Sequence, residues 1–217
     1  MKNSFNLIVF TTITFIVFAV GKGWAMDSFL QGCSCYYGHG TEKNPTEAIK
    51  YWLESAEQGQ ALAQFDLGLC YASGNGVEKD IDEAIKWLRL SADQGYPPAQ
   101  TVLGKFYAKG YGVPHDMDQA INLYRKAAKR GSARAEYLLG LCFECGNGVQ
   151  KNPKEAFIWY EKAAQQGNSD AQYALGKCYY SGLGVKENKE KALKWYQLAA
   201  EQGQKDALVA IQKFDAK

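Results

Sequence analysis

The chain is dominated by a sequence block that recurs every 36 residues. Four segments of fifteen residues align without a gap, and each begins with alanine and ends with Gly-x-Gly-Val. They are AQFDLGLCYASGNGV from Ala63, AQTVLGKFYAKGYGV from Ala99, AEYLLGLCFECGNGV from Ala135 and AQYALGKCYYSGLGV from Ala171. A fixed period of about 20 to 50 residues is typical of proteins in which each unit buries its apolar face against its neighbours. The period therefore restricts the fold to a stack of similar units.

The recurring block predicts the first of two helices in each repeat. In the copy that starts at Ala63, the apolar residues Ala63, Leu67 and Tyr71 recur at every fourth position, which is the spacing of one helix face. A glycine stands in the middle of this face, although glycine costs a helix about 1 kcal/mol relative to alanine. We therefore expect a neighbouring helix to pack closely against the bare backbone there. The glycines are Gly68, Gly104, Gly140 and Gly176.

A second helix follows each block and has a clear start signal. One Asn or Asp per repeat can cap the first turn with its side chain. Three residues later, Glu47 and its equivalents complete a capping-box pattern in every copy except the last, which has Lys191. Pro45 and Pro153 stand at the first helical position, where proline is tolerated. The predicted caps are Asn44, Asp80, Asp116, Asn152 and Asn188. Two short helices with glycine turns leave no room for a strand, so the predicted fold is all-α.

The period divides the chain into five repeats and a closing helix. The first repeat, residues 27–62, is irregular. Residues 207–217 predict a C-terminal capping helix, because the last repeat of a stack needs a cover for its apolar face. The regular repeats are residues 63–98, 99–134, 135–170 and 171–206.

Residues 1–25 predict an export signal. Lys2 precedes the uncharged apolar run of residues 5–20, and Gly23 and Ala25 match the small residues of a signal-peptidase site. Cleavage there would make Met26 the first residue of the mature chain and would place the protein in the periplasm or outside the cell. The alternative is that residues 5–20 stay attached as a membrane anchor, which is the one way in which the sequence predicts contact with a membrane.

The charge of the chain argues against nucleic acid as a partner. Of the 25 Lys and Arg residues, two lie within residues 1–25, which contain no acidic residue. The remainder therefore has 23 basic residues against 23 acidic ones. A net charge near zero supplies no field that would concentrate a polyanion.

The two helical patterns together resemble the Sel1-like repeat, a relative of the tetratricopeptide repeat. The first carries A-x-x-x-L-G-x-x-Y-x-x-G-x-G-V, the second carries E-A-x-x-W-Y-x-x-A-A-x-x-G after its cap, and they cover the chain nearly to its end from Asp27. The resemblance implies a right-handed α/α superhelix, or solenoid, whose first helices line the inner face. It also implies an adaptor or scaffold for protein complexes, and exported bacterial members often act at the boundary between host and pathogen.

Three of the six cysteines share one repeat position. These are Cys70, Cys142 and Cys178, and the remaining regular repeat has Phe106 there, which predicts buried core thiols. Cys142 also forms a C-x-x-C with Cys145 at the C-terminal end of a helix, where the helix dipole disfavours a thiolate. The sequence leaves open whether this pair forms a local disulfide and how the other cysteines pair.

No catalytic residue, metal site or cofactor is predicted. His39 and His115 are the only histidines, and both stand in predicted turns without a matching set of ligands. The Gly-x-Gly-Val turns lack the Gly-Lys-Ser/Thr of a phosphate loop. A cysteine-rich branch of the resembled family is linked to penicillin binding and weak β-lactamase activity. Its stapling cysteines correspond to alanines such as Ala56 here, so the resemblance gives no reason to expect that enzyme.

One line of positions on the first helices varies between repeats and is our predicted binding surface. It lies beside the recurring apolar face, where the resemblance places the inner face of the stack. Its mixture of leucines and lysines suits a protein or peptide partner with apolar anchors and acidic residues. A structural role in an envelope complex, without a dedicated groove, is the alternative. The predicted binding residues are Asp66, Leu69, Val102, Lys105, Lys109, Leu138, Leu141, Lys177 and Ser181.

Overall fold

The computed structural model describes residues 23–40 and 42–215, and this part of the chain has eleven helices and no strand. The all-α prediction is confirmed. Residues 1–22 of the predicted export signal lie outside the described residues, and residues 23–25 begin the first helix. The helices are α1 Gly23–Tyr37, α2 Pro45–Glu57, α3 Ala61–Ser73, α4 Ile81–Asp93, α5 Pro97–Lys109, α6 Met117–Lys129, α7 Ala133–Cys145, α8 Pro153–Gln165, α9 Ser169–Ser181, α10 Lys189–Glu201 and α11 Lys205–Asp215.

The helices pack in chain order within two compact units. The first unit ends at Tyr96 and contains α1 to α4, and the second begins at Pro97 and contains α5 to α11. In each unit every helix packs against the helices of that unit that come directly before and after it in the chain. In the first unit, for example, α2 packs against both α1 and α3. No helix within residues 23–40 and 42–215 has both the length and the hydropathy to cross a membrane.

The predicted helix caps are confirmed. In each second helix the side-chain oxygen of the cap accepts a hydrogen bond from the backbone N–H three residues later. For Asp116 and Gln119 the donor–acceptor distance is 2.9 Å. Each bond satisfies one of the four N–H groups that a helix N-terminus leaves without a partner in the helix.

The prediction that a glutamate completes the capping box is wrong. In that motif the glutamate side chain would accept the backbone N–H of the cap residue. That N–H instead donates to a main-chain carbonyl near the end of the preceding helix, as Asp80 does to Tyr71 at 3.0 Å. Glu47 and Glu83 form surface ion pairs instead, and Glu83 lies 3.0 Å from Lys86. The helix hairpin supplies a fixed acceptor close to the cap, and this local contact replaces the side chain.

The mid-helix glycines allow close helix packing, as predicted. A Cβ atom added to Gly68 would lie 2.7 Å from Leu88, and one added to Gly104 would lie 2.6 Å from Tyr124. Both distances are shorter than real Cβ contacts, so any side chain at these positions would force the packed neighbour to shift. Gly140 and Gly176 face Tyr160 and Tyr196 in the same way.

The core of each unit lies along these contacts. In the first unit, Trp52 is 1% exposed and packs with Phe29, Leu67 and Trp87. In the second unit, one buried cluster contains Tyr124 and Leu139, and another contains Tyr160, Leu175 and Tyr196. Each second helix contributes one large buried side chain at the same repeat position. These side chains are Trp52, Leu88, Tyr124, Tyr160 and Tyr196.

A buried polar contact also recurs and was not predicted. The Nε2 of Gln94 donates to the Oε1 of Gln64 at 2.7 Å, and Gln202 makes the same contact with Gln172. Glu136 takes the acceptor role in the repeat before that of Gln172, and its donor is Gln166. Burial raises the pKa of Glu136, because its carboxylate loses solvation that a neutral amide does not need.

Candidate protein-binding surface

The predicted binding residues lie on first helices and differ in exposure. We call this set the first-helix stripe. Asp66 and Leu69 lie on α3 in the first unit, and the other seven lie on α5, α7 and α9 in the second. The exposed members are Leu69, Lys109, Lys177 and Ser181. The half-buried members are Asp66, Val102, Lys105, Leu138 and Leu141.

Three cations lie together in the second unit. Partial burial, and after it the charges of Arg134 and Lys109, lower the pKa of Lys105. The effect of Arg134 shows that α5 and α7 bring their basic side chains to one place. Arg134 also forms an ion pair with Asp170 on α9, and its guanidinium lies 5.3 Å from the ring centroid of Tyr137. We call Lys105, Lys109 and Arg134 the basic group.

A carboxylate held by two donors lies between α7, α8 and α9. Glu144 accepts a hydrogen bond from the hydroxyl of Tyr160, and its Oε1 lies 3.9 Å from the Nζ of Lys177. Burial, followed by this hydrogen bond, raises the pKa of Tyr160, so the phenol stays protonated and can donate. The sequence analysis did not predict Glu144, whose repeat position holds Ala72, Ala108 and Tyr180 elsewhere.

The two leucines of α7 belong partly to the core. Leu138 packs against the buried cluster that contains Leu139, and Leu141 packs against the cluster that contains Leu175. Only part of each side chain can contact a partner. The apolar area of the stripe in the second unit is therefore smaller than the sequence suggests.

The first unit has an acidic counterpart on α3. Burial raises the pKa of the Asp66 carboxyl to about 6. Its charge contributes to raising the pKa of Cys33 and of Tyr96, so these groups lie near it. Within the described residues no cation pairs with Asp66. The ionised carboxylate therefore carries a desolvation cost that no neighbouring cation offsets.

The recurring cysteines are buried, as predicted. Cys70, Cys142 and Cys178 are 3%, 6% and 1% exposed. Burial raises the pKa of Cys70 and Cys142 to about 11 and that of Cys178 to about 12. They remain thiols near neutral pH and behave as small apolar side chains. Within residues 23–40 and 42–215, no group of three or more His, Cys, Asp or Glu side chains could hold a metal ion.

The fold and surface define a class, that of helix–turn–helix repeat proteins that present one face for binding. The sequence profile of the Sel1 repeat matches five consecutive segments, and the chain belongs to the Sel1 repeat family. Proteins of this family generally act as protein-interaction scaffolds. No curated protein matches the chain. The matched segments are residues 32–60, 61–96, 97–132, 133–168 and 169–204.

Several solved structures are similar to this chain. A Sel1 repeat protein from Oxalobacter formigenes is 39% identical, with a TM-score of 0.87 over 89% of this chain and 79% of that one. A protective antigen of uropathogenic Escherichia coli strains is 32% identical, with a TM-score of 0.80 over 89% of this chain. This chain spans 41% of the length of that antigen. An immunity protein from Pseudomonas aeruginosa, 24% identical with a TM-score of 0.58 over 84% of this chain and 67% of that one, shares the fold.

Proposed function

We propose that this protein is an exported interaction module that binds an acidic segment of a partner protein through the stripe of its second unit. The basic group is the observation that carries the proposal. Lys105, Lys109 and Arg134 repel one another, and this repulsion adds to partial burial, the larger cause, in lowering the pKa of Lys105. A partner carboxylate placed among them would relieve the repulsion. Complementary charge of this kind raises the rate and specificity of association.

The proposed complex depends on the positive charge of the basic group. Replacing Lys105 and Lys109 with glutamate is expected to lower partner capture from envelope or host-cell extract by at least about tenfold at low salt, equivalent to about 1.4 kcal/mol. The matched control replaces Lys126 and Lys129, exposed lysines of the second helix α6, with glutamate and should retain capture. Capture is measured by quantifying the proteins that remain bound to immobilised protein after washing.

The design leaves two residues of this surface unchanged because they also support the fold. Leu141 packs against the core, and Arg134 holds Asp170, so their replacement would disturb folding as well as binding. Helical circular dichroism must be the same in all three proteins. Equal loss of capture in the stripe variant and in the α6 control, or undiminished capture in both, would contradict the proposal.

Export is the part of the proposal that residues 1–25 support. The apolar run of residues 5–20 and the small residues Gly23 and Ala25 predict cleavage before Met26. The full-length gene product expressed in a bacterium is expected to appear outside the cytoplasm with Met26 as its first residue, as read by N-terminal sequencing. Recovery of the intact chain from the membrane fraction would favour the anchor instead, and recovery from the cytoplasm would refute export.

A further inference from the structure

A cavity of about 310 Å³ lies in the second unit between α9, α10 and α11. Four of its eight lining residues are aromatic. The centroids of Tyr173 and Tyr196 are 5.6 Å apart, and those of Tyr180 and Phe214 are 5.2 Å apart. The cavity is partly open to solvent. Its lining residues are Tyr173, Tyr180, Tyr196, Asp206, Val209, Ala210, Lys213 and Phe214.

The repeat period relates this cavity to the site of Glu144, which lies one repeat earlier. Tyr196 stands 36 residues after Tyr160, and Lys213 stands 36 residues after Lys177. In the earlier repeat, these two positions hold Glu144 from both sides, through the tyrosine hydroxyl and the lysine ammonium. The same pair of donors is therefore present at the cavity.

The carboxylate is what differs between the two sites. Tyr180 takes the position of Glu144 and turns its ring toward Phe214. Within the described residues, the hydroxyl of Tyr196 makes no hydrogen bond and Lys213 makes no ion pair. The Tyr196 side chain is otherwise buried, but its hydroxyl oxygen is reached by solvent and is therefore available to an acceptor that enters the cavity.

We propose that this cavity binds the side chain of a glutamate from a partner peptide, whose carboxylate takes the place that Glu144 has one repeat earlier. The proposal rests on the proposed function, because it specifies the chemistry of the partner. Burial, and then the nearby Tyr173 and Tyr180, raise the pKa of Tyr196 to about 12, so its hydroxyl can donate to the incoming carboxylate. Lys213 supplies the opposite charge.

The shape of the cavity favours a side chain over the end of a chain. Tyr196 is 3% exposed, so an oxygen that reaches its hydroxyl must come at the end of a narrow stem. The two methylene groups of glutamate provide such a stem, and the aromatic walls provide apolar contact for it. A C-terminal carboxylate has no comparable stem.

Asp206 sets a second requirement on the peptide. It lines the same cavity seven residues before Lys213, about 10.5 Å along the helix axis. A carboxylate held beside Lys213 would lie about one Debye length, about 8–10 Å, from Asp206, so salt reduces their repulsion only in part. An extended peptide covers the same distance in about three residues. A basic residue three positions from the glutamate would therefore pair with Asp206.

Binding is tested on the full chain with three fluorescein-labelled peptides that carry a lysine at this spacing. The first has one glutamate and blocked ends, the second has glutamine in its place, and the third has glutamine and a free C-terminal carboxylate. By fluorescence anisotropy the glutamate peptide is expected to bind at least about tenfold more tightly than the other two, because a charge-assisted hydrogen bond is lost in each. Equal affinities, tighter binding of the third peptide, or no saturable binding of the first would overturn the proposal.

Variants of the cavity make the test specific. Tyr196→Phe and Lys213→Gln are each expected to weaken the glutamate peptide at least about fivefold and to leave the glutamine peptide unchanged. Tyr180→Glu should abolish binding, because it supplies an internal carboxylate to the same donors. Tyr160→Phe, one repeat earlier, is the matched control and should bind as the wild type does.

The outcomes separate this proposal from the proposed function. If Tyr196→Phe keeps the full preference for glutamate, the cavity is not the site, whatever the basic group does. If Lys105 and Lys109 prove unnecessary for partner capture while Tyr196→Phe loses the preference for glutamate, the cavity proposal stands and the proposed surface is wrong. Circular dichroism melting confirms that each variant is folded.

Discussion

Replacement of Gly184 with alanine is expected to lower the free energy of unfolding by roughly 2–5 kcal/mol. Gly184 lies in the turn between α9 and α10 with φ at +73°, a conformation that costs an L-residue about 1–2 kcal/mol. An added Cβ would also overlap the backbone carbonyl of Pro153, the first residue of α8. A backbone group cannot rotate away as a side chain can. Overpacking of this kind costs about 1–3 kcal/mol more.

Gly203 provides the matched control for this effect. Its φ is +81°, but a Cβ built there has no atom within 4 Å. Gly203→Ala should therefore show the conformational cost alone, about 1–2 kcal/mol. Urea unfolding measures both variants on the same unit of the protein. Equal destabilisation by the two substitutions would mean that the close approach of Gly184 to Pro153 contributes nothing.

Asp66→Asn is expected to stabilise the protein at pH 7 by about 2 kcal/mol. The pKa of this carboxyl rises from 3.8 to about 6 on folding because burial removes its solvation. Below the lower value both states are protonated and the folded state bears no penalty. As the pH rises toward 6 the unfolded state releases its proton first, so stability falls. The full shift corresponds to about 3 kcal/mol, and we discount it for the partial exposure of the side chain.

The dependence on pH distinguishes this effect from a simple gain in packing. At pH 4 the Asp66→Asn substitution should change the free energy of unfolding by less than about 1 kcal/mol, because the unfolded wild type has then released its proton only in part. Urea unfolding at pH 4 and pH 7 measures the difference. Glu78→Gln removes a carboxylate from an exposed turn of the same unit and serves as the control. A stabilisation by Asp66→Asn that is the same at both pH values would refute the assignment.

Much of the fold followed from local signals in the repeat. The caps are correct because an Asn or Asp side chain acts on the first turn of its own helix, within three residues. Gly68 and its equivalents were interpreted correctly because a glycine that recurs in a buried face implies a close neighbour. The burial of Cys70 was predicted because a phenylalanine replaces it in another repeat. Each of these inferences needs only the period and the chemistry of one residue.

The candidate surface was predicted less completely. The stripe contains exposed lysines, as expected, but Leu141 is half-buried because the core of the following repeat lies beside it. The pairing of Glu144 with Tyr160 and Lys177 was not foreseen, since the helix hairpin and the stacking of α9 bring them together. The capping-box prediction was wrong for the same kind of reason, because a carbonyl of the neighbouring helix accepts the N–H of the cap.

The sequence by itself determined the repeat, the helices and the residues that end them, because these depend on contacts between positions close in the chain. Only the tertiary structure decided which side chains of one repeat meet those of the next. A stack places residues 16 to 36 positions apart at van der Waals distance, and their distances depend on helix packing that no local pattern encodes. Only the tertiary structure reveals the cavity beside Tyr196. Its tyrosine and lysine correspond to the pair that holds Glu144 one repeat earlier, but the position of Glu144 is taken by Tyr180.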